Sequence, residues 1–233
     1  MNLSSLHRPG RTAALIGPLA AAIGLSLSAA SAGAAIVSMP TPQGAVDFDS
    51  ADFATALLSG PVGEFGCFTA GTLSTCTTAS LQAAVLGPDL GTGLTLGSGA
   101  EVTLALPARG SGLVLWEAGD FTLASYTRDA RVAVHTAAGW SGELNVNPGH
   151  LAPVLNDSQP SGFKTNFGSF SAADFGLAAN SVFDAVRIRS CCAANSQFDL
   201  LAVAAVPEPG TALLFGIGLL GFVAVRRWGR QAA

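Results

Sequence analysis

Two uncharged apolar stretches, one near each end and each bounded on its outer side by arginine, limit what this chain can fold into more than anything between them. No charged residue occurs from Ala13 to Val37, and Arg8 and Arg11 stand just before that run. Ala13–Leu27 is apolar and Ala29–Ala35 is built of small residues. A cationic start, a greasy helix and a small-residue end, in that order, make a secretory signal peptide rather than a folded element. Residues 1–35 are therefore expected to be removed on export, with Ala32-Gly33-Ala34 or Gly33-Ala34-Ala35 as the peptidase site.

At the other end Val206-Pro207-Glu208-Pro209-Gly210 breaks the chain, Thr211–Val225 carries no charge, and Arg226, Arg227 and Arg230 follow. A helix over 210–225 would rise roughly 24 Å at about 1.5 Å per residue, against about 30 Å for a hydrocarbon core. Trp228 can sit at the interface and the arginines can reach back to the headgroups. Gly216, Gly218 and Gly221 suit a membrane helix better than a soluble one. The segment reads as a transmembrane helix stopped by Arg226, Arg227 and Arg230. The excess of arginine places that end in the cytoplasm and everything before Pro207 outside.

Pro207-Glu208-Pro209, then a glycine-interrupted apolar helix, then an arginine cluster: these features in this order resemble the PEP-CTERM sorting signal, over residues 206–230. The resemblance implies that Pro207, Glu208 and Pro209 are recognised by an exosortase, a membrane protease-transpeptidase of Gram-negative bacteria that make exopolysaccharide. It implies that the tail is then removed or exchanged. Flanking prolines hold such a tripeptide extended. The expected partners are the secretion machinery, signal peptidase, the inner membrane and an exosortase. The expected route is export, a transient inner-membrane anchor, then the cell surface or extracellular space.

Residues 36–205 remain as one exported domain. Ile36–Val206 holds 6 basic residues against 14 acidic ones, a balance that excludes nucleic-acid binding through phosphate neutralisation. Strand signals recur in its second half. Glu101–Leu106 alternates, with Val102, Leu104 and Leu106 on one face, and Arg131–His135 does the same with Val132 and Val134. Leu113–Trp116, Phe121–Thr127, Val182–Arg189 and Phe198–Val206 add further strands. Pro107–Gly112, Glu117–Asp120, Ala137–Gly142 and Asn147–Gly149 carry turn chemistry. Short strands at this spacing predict a mainly β, antiparallel sandwich of jelly-roll-like form. Short helices are expected over Ser50–Leu58 and Ser80–Leu86. Gly112–Glu117, Arg131–His135, Phe183–Ile188 and Phe198–Val206 also resemble a β-sandwich domain common in PEP-CTERM surface proteins; that likeness carries no functional residue over.

Cys67, Cys76, Cys191 and Cys192 belong to an exported chain, where disulfides are the default and four cysteines allow three pairings. Cys67 with Cys76 closes a local loop and leaves two adjacent cysteines; crossed pairings tie the early loop to the 190–195 turn. Neither spacing fits zinc. Asp47, Asp49 and Asp52 form the best acidic cluster, a weak calcium candidate or an acidic edge that caps a helix. Nucleotide-binding and metallohydrolase motifs are absent, no cofactor is implied, and Gly139-Trp140-Ser141-Gly142 ends in Glu143 rather than completing a nucleophile elbow. His135 reads as a surface histidine. Glu117 and Asp120 offer a glycosidase-like carboxylate pair on a turn. Trp116, Trp140 and Tyr126 would stack on sugar rings, although core packing explains Trp116 equally well. The expected function is a non-enzymatic surface or matrix protein, sorted by an exosortase and linked to exopolysaccharide; an extracellular hydrolase is the alternative.

Overall fold

The computed structural model describes residues 35–69, 72–119, 129–155, 164–191 and 196–207. The expected signal peptide and the transmembrane segment over 210–225 lie outside them. Among the described residues no helix is long and apolar enough to cross a membrane.

The described chain is mainly β and antiparallel, as the alternation predicts. Its first half runs β1 (Ile36–Thr41), β2 (Gly44–Asp49), β3 (Ala56–Val62), β4 (Phe65–Thr69), β5 (Thr72–Ser74), α1 (Thr78–Val85) and β6 (Thr92–Leu96). The second half runs β7 (Glu101–Gly119), β8 (Ala130–Thr136), β9 (Gly139–Trp140), β10 (Leu144–Val146), β11 (Ala152–Pro153), β12 (Lys164–Ser171), β13 (Phe183–Ser190) and β14 (Phe198–Pro207).

β7 organises everything. Its first part pairs with β3 on one side and β13 on the other; its second part pairs with β12 and β14. From the first part the sheet extends through β13 to β8 and β10, and from the second through β14 to β6, β4 and β5. The expected turn at Pro107–Gly112 is therefore a corner within a single strand. Pro107 has no N–H to give a ladder, Ala108 takes φ +29°, and the pairing with β13 skips from Gly110 to Ala105. A strand that switches sheets at a bulge joins two layers. Val102 and Leu104, Val132 and Val134, Val186 and Ile188 from one layer share a single core with Leu113, Leu115, Leu200, Val203 and Ala205 from the other. This arrangement is consistent with a β-sandwich.

The outer face of the second layer is covered as well. Trp116 is fully buried there against Phe48, Phe53 and Phe167, with ring centroids 5.3 to 5.9 Å away. Its Nε1 donates to the Pro40 carbonyl at 2.9 Å, pinning the β1–β2 hairpin. Of the two readings of Trp116, the core is the one the fold adopts.

Two hairpins close by one device. In Thr41-Pro42-Gln43-Gly44 and Thr136-Ala137-Ala138-Gly139 the threonine hydroxyl accepts the N–H two residues on and donates to the glycine carbonyl. The glycines have φ +117° and +109°, conformations that a side chain would strain. The helix expected over Ser50–Leu58 is only a 3₁₀ turn, Ser50–Asp52, because Phe53 leaves it to bridge Ala204 and β3 begins at Ala56. The second expected helix is α1, capped by Thr77 and burying Leu81, Ala84 and Val85.

Candidate functional site

The outward face of β8 and β13 gathers a cluster of charged side chains around one exposed tryptophan. Register sets Ala185 opposite His135, Arg187 opposite Ala133 and Arg189 opposite Arg131. Because side chains alternate, Val132, Val134, Val186 and Ile188 go to the core, while Arg131, His135, Arg187 and Arg189 face out. Three of the six basic residues of 36–206 thus lie on one flat patch.

Glu143, in the segment between β9 and β10, is their shared counter-ion. Arg189 donates to both its oxygens at 2.9 Å, Arg131 to one at 3.2 Å, and Arg187 lies 3.7 Å away. Arg187 is also 3.9 Å from Glu101. Trp140, opposite His135 in the β8–β9 hairpin, is 43% exposed. The Arg187 guanidinium stands 4.9 Å over its ring and His135 meets it edge-on at 5.1 Å. His135 Nδ1 lies 2.6 Å from Asp184 Oδ1, which fixes the orientation of the imidazole.

An exposed indole ringed by guanidinium, carboxylate and imidazole groups suits non-covalent binding by stacking and paired hydrogen bonds. Ser141 Oγ, from the near-motif at Gly139–Gly142, accepts from Val134 N and donates to Gly142 O. Sequence reasoning singled out Trp140 and His135 but missed Arg187, Arg189, Glu143 and Asp184. The signal available was Arg187-x-Arg189, two cations at strand period.

The other candidates disperse. Asp47 is exposed on β2, Asp49 caps the 3₁₀ turn through Ala51 N, and Asp52 is buried. Asp49 and Asp52 each lie 3.7 Å from Arg109. Burial pushes the Asp52 carboxyl above its ordinary value and the Asp49 charge adds to this, while Arg109 draws it back. Among the described residues no three acidic, histidine or cysteine side chains gather to hold a metal. The expected turn at Glu117–Asp120 is overturned up to Gly119, because β7 continues through it. Glu117 is buried, accepts a hydrogen bond from Asn166 Nδ2 at 2.7 Å, and is partnered further. Asp120 and Tyr126 lie outside the described residues.

Cys67 and Cys76 form a disulfide, tying β4 to the residue before the α1 cap. Of the pairings left open by the sequence, the local one is therefore the one present. Cys191 is also disulfide-bonded and accepts from Arg131 Nε at 3.2 Å. Cys192 lies outside the described residues.

At the end of the domain, β14 carries Ala205 opposite Leu113, Val206 opposite Gly112 and Pro207 opposite Gly110. Glu208, Pro209, Arg226, Arg227 and Arg230 lie outside the described residues. These features define an antiparallel β domain whose last central strand leads directly into a C-terminal signal. Residues 205–227 match the PEP-CTERM protein-sorting motif, which marks an exported protein processed by an exosortase. A search of curated proteins found no match to this chain. Two solved structures are similar at 10% and 13% identity. One is the Agl-KA catalytic domain, with TM-score 0.38 over 76% of this chain and 29% of that one. The other is the catalytic domain of a GH87 alpha-1,3-glucanase in complex with tetrasaccharides, with TM-score 0.31 over 51% of this chain and 22% of that one. The chain thus spans less than a third of either, and likeness at this level says nothing of activity.

Proposed function

We propose that this chain is a non-enzymatic cell-surface or extracellular-matrix protein that meets exopolysaccharide through its Trp140 face. On this reading, signal peptidase trims it after Ala34 or Ala35 during export. The 210–225 segment then holds it in the inner membrane, with Arg226, Arg227 and Arg230 inside, until an exosortase acts. The observation that carries the reading is the continuity of β14 with the sorting motif: the motif begins at Ala205, within the last strand, which runs on to Pro207. The exposed indole and its arginines support a binding rather than a catalytic role, and Glu117 is too deeply buried to serve as one of two carboxylates flanking a glycosidic bond.

Cell fractionation of a Glu208→Ala variant in a host carrying the exosortase tests this. The expected result is normal export and folding with full-length protein accumulating in the inner membrane. Processed protein at the surface, as in the wild type, would overturn the sorting role of the tripeptide.

A further inference from the structure

The three outward arginines of β8 and β13 are not equally engaged. Arg189 gives both oxygens of Glu143 a hydrogen bond at 2.9 Å, and Arg131 adds one at 3.2 Å. Arg187 differs. Its nearest carboxylate oxygens, on Glu143 and Glu101, lie 3.7 and 3.9 Å away, outside hydrogen-bond reach. Among the described residues its guanidinium donates no hydrogen bond. What holds it is the Trp140 ring, 4.9 Å from its central carbon. A guanidinium fixed by stacking keeps its planar fork of donors set for a partner from solvent and loses little freedom when one arrives.

The neighbouring seat shows which partner fits. Arg131 and Arg189 already hold a carboxylate by both its oxygens. Such a group presents two acceptors in one plane, the match for an arginine fork that a neutral hydroxyl does not offer. Glu101 and Glu143, both within 4 Å of Arg187, set the limit. One guanidinium flanked by two carboxylates takes a single negative charge and repels a densely charged group. Asp184, the other carboxylate of this face, is engaged by His135 at 2.6 Å. The floor beside the indole is low. Register sets Ala133 and Thr103 on the two sides of Arg187, and sets Ala185 between His135 and Ala105 with Ala56 beyond. At about 4.8 Å per strand, the row from Ala185 to Ala56 runs roughly 10 Å across the sheet. A chain of sugar rings crossing there has one ring at Trp140 and a substituent turned toward Arg187, about 6.6 Å along β13 from Ala185.

We propose that Arg187 sets the specificity of this face and that its ligand is a carboxylated glycan, a chain of uronic-acid rings. One ring packs on Trp140 and its carboxylate takes the Arg187 fork. This rests on the reading of the Trp140 face as a polysaccharide contact and adds the class of sugar. Glu143, on the short segment between β9 and β10, is a built-in competitor, since it offers the same group to the same arginines.

The test is titration of the full chain in detergent micelles with polygalacturonate, and with the same polymer after its carboxyls have been reduced to alcohols. The wild type should bind the carboxylated polymer at least about tenfold more tightly, as hydrogen bonds to a charged group allow. Arg187→Lys keeps the charge but loses the fork and the stack, and should bring the two polymers within about twofold of each other. Glu143→Gln should tighten polygalacturonate severalfold and leave the reduced polymer unchanged. Equal binding of the two polymers by the wild type overturns the carboxylate assignment while the polysaccharide reading stands. Discrimination that survives in Arg187→Lys overturns the role of Arg187. Should that variant lower the urea midpoint, Glu143→Gln decides, and unchanged or weaker binding of polygalacturonate overturns the proposal. Dextran sulfate bound more tightly than polygalacturonate at equal charge would show bulk attraction and overturn it as well. Binding of neither galacturonan polymer removes the polysaccharide reading itself.

Discussion

Trp116→Ala measures what the outer face of the second layer contributes. Trp116 is fully buried among Phe48, Phe53 and Phe167 and donates to Pro40 O across 76 positions of sequence. Burying a tryptophan removes about 150–250 Å² from water, or roughly 4–6 kcal/mol at about 25 cal/mol per Å². Truncations of this kind cost about 3–5 kcal/mol once neighbours relax. An expected loss of about 4 kcal/mol is large beside the roughly 5–15 kcal/mol that holds a domain together. Trp116→Phe keeps most of the packing but leaves the Pro40 carbonyl without its donor, a loss of about 1–2 kcal/mol. Urea unfolding of the full chain in detergent micelles gives both numbers. Hydrogen exchange adds a spatial check: amides of β1 and β2 should lose protection in Trp116→Ala before those of β8 and β13. A loss below about 1.5 kcal/mol, outside the range for a buried tryptophan, would mean that the ring does not pin the hairpin.

Replacing Cys67 and Cys76 together by alanine releases a closure spanning 9 positions, worth about 3 kcal/mol on chain entropy; a lowered urea midpoint checks it. For Asp52 the sign follows from its raised pKa. The native state binds that proton more tightly than the unfolded chain, so this residue's contribution to stability falls as pH rises from the ordinary carboxylate value through the raised one. Asp52→Asn should flatten the decline, seen by comparing urea midpoints of the two proteins between pH 4 and 7. On the outer face of β8 and β13, Trp140→Ala should abolish retention on immobilised acidic polysaccharide while leaving the urea midpoint within about 0.5 kcal/mol of wild type, as for other surface substitutions. Equal retention of the two proteins would remove the indole from the proposed contact.

Much of the second half of the fold was legible because its strands bury one face and solvate the other. Val132 and Val134 against Arg131 and His135 gave β8, and Val186 and Ile188 against Arg187 and Arg189 gave β13. β7 was not legible as one strand, since Pro107, Gly110 and Gly112 are the residues of a turn as much as of a corner where backbones approach closely. β3 escaped notice for a related reason: Ser59, Gly60 and Pro61 are poor strand formers, tolerated because this strand pairs on one side with β7 alone. The patch around Trp140 needed more than periodicity. Alternation says that Arg187 and Arg189 share a face, but only register brings them beside Arg131 and beneath Glu143. For Glu117 the local chemistry misled, because a carboxylate before Ala-Gly-Asp looks like a turn until Asn166 is known to lie across from it.

Placing the last strand in the middle of a layer has a consequence for the order of events during export. A chain that crosses the membrane from its N-terminus delivers β6 and β7 well before β14. Until residues 198–207 emerge, the facing edges of β6 and β7 carry unpaired backbone groups and the layer has an open slot. Exposed edges of this kind recruit other chains, and slow, non-local pairing lengthens the exposure. The domain can therefore complete itself only once residues 198–207 have emerged. A nascent domain stalled short of Phe198 would be the aggregation-prone species.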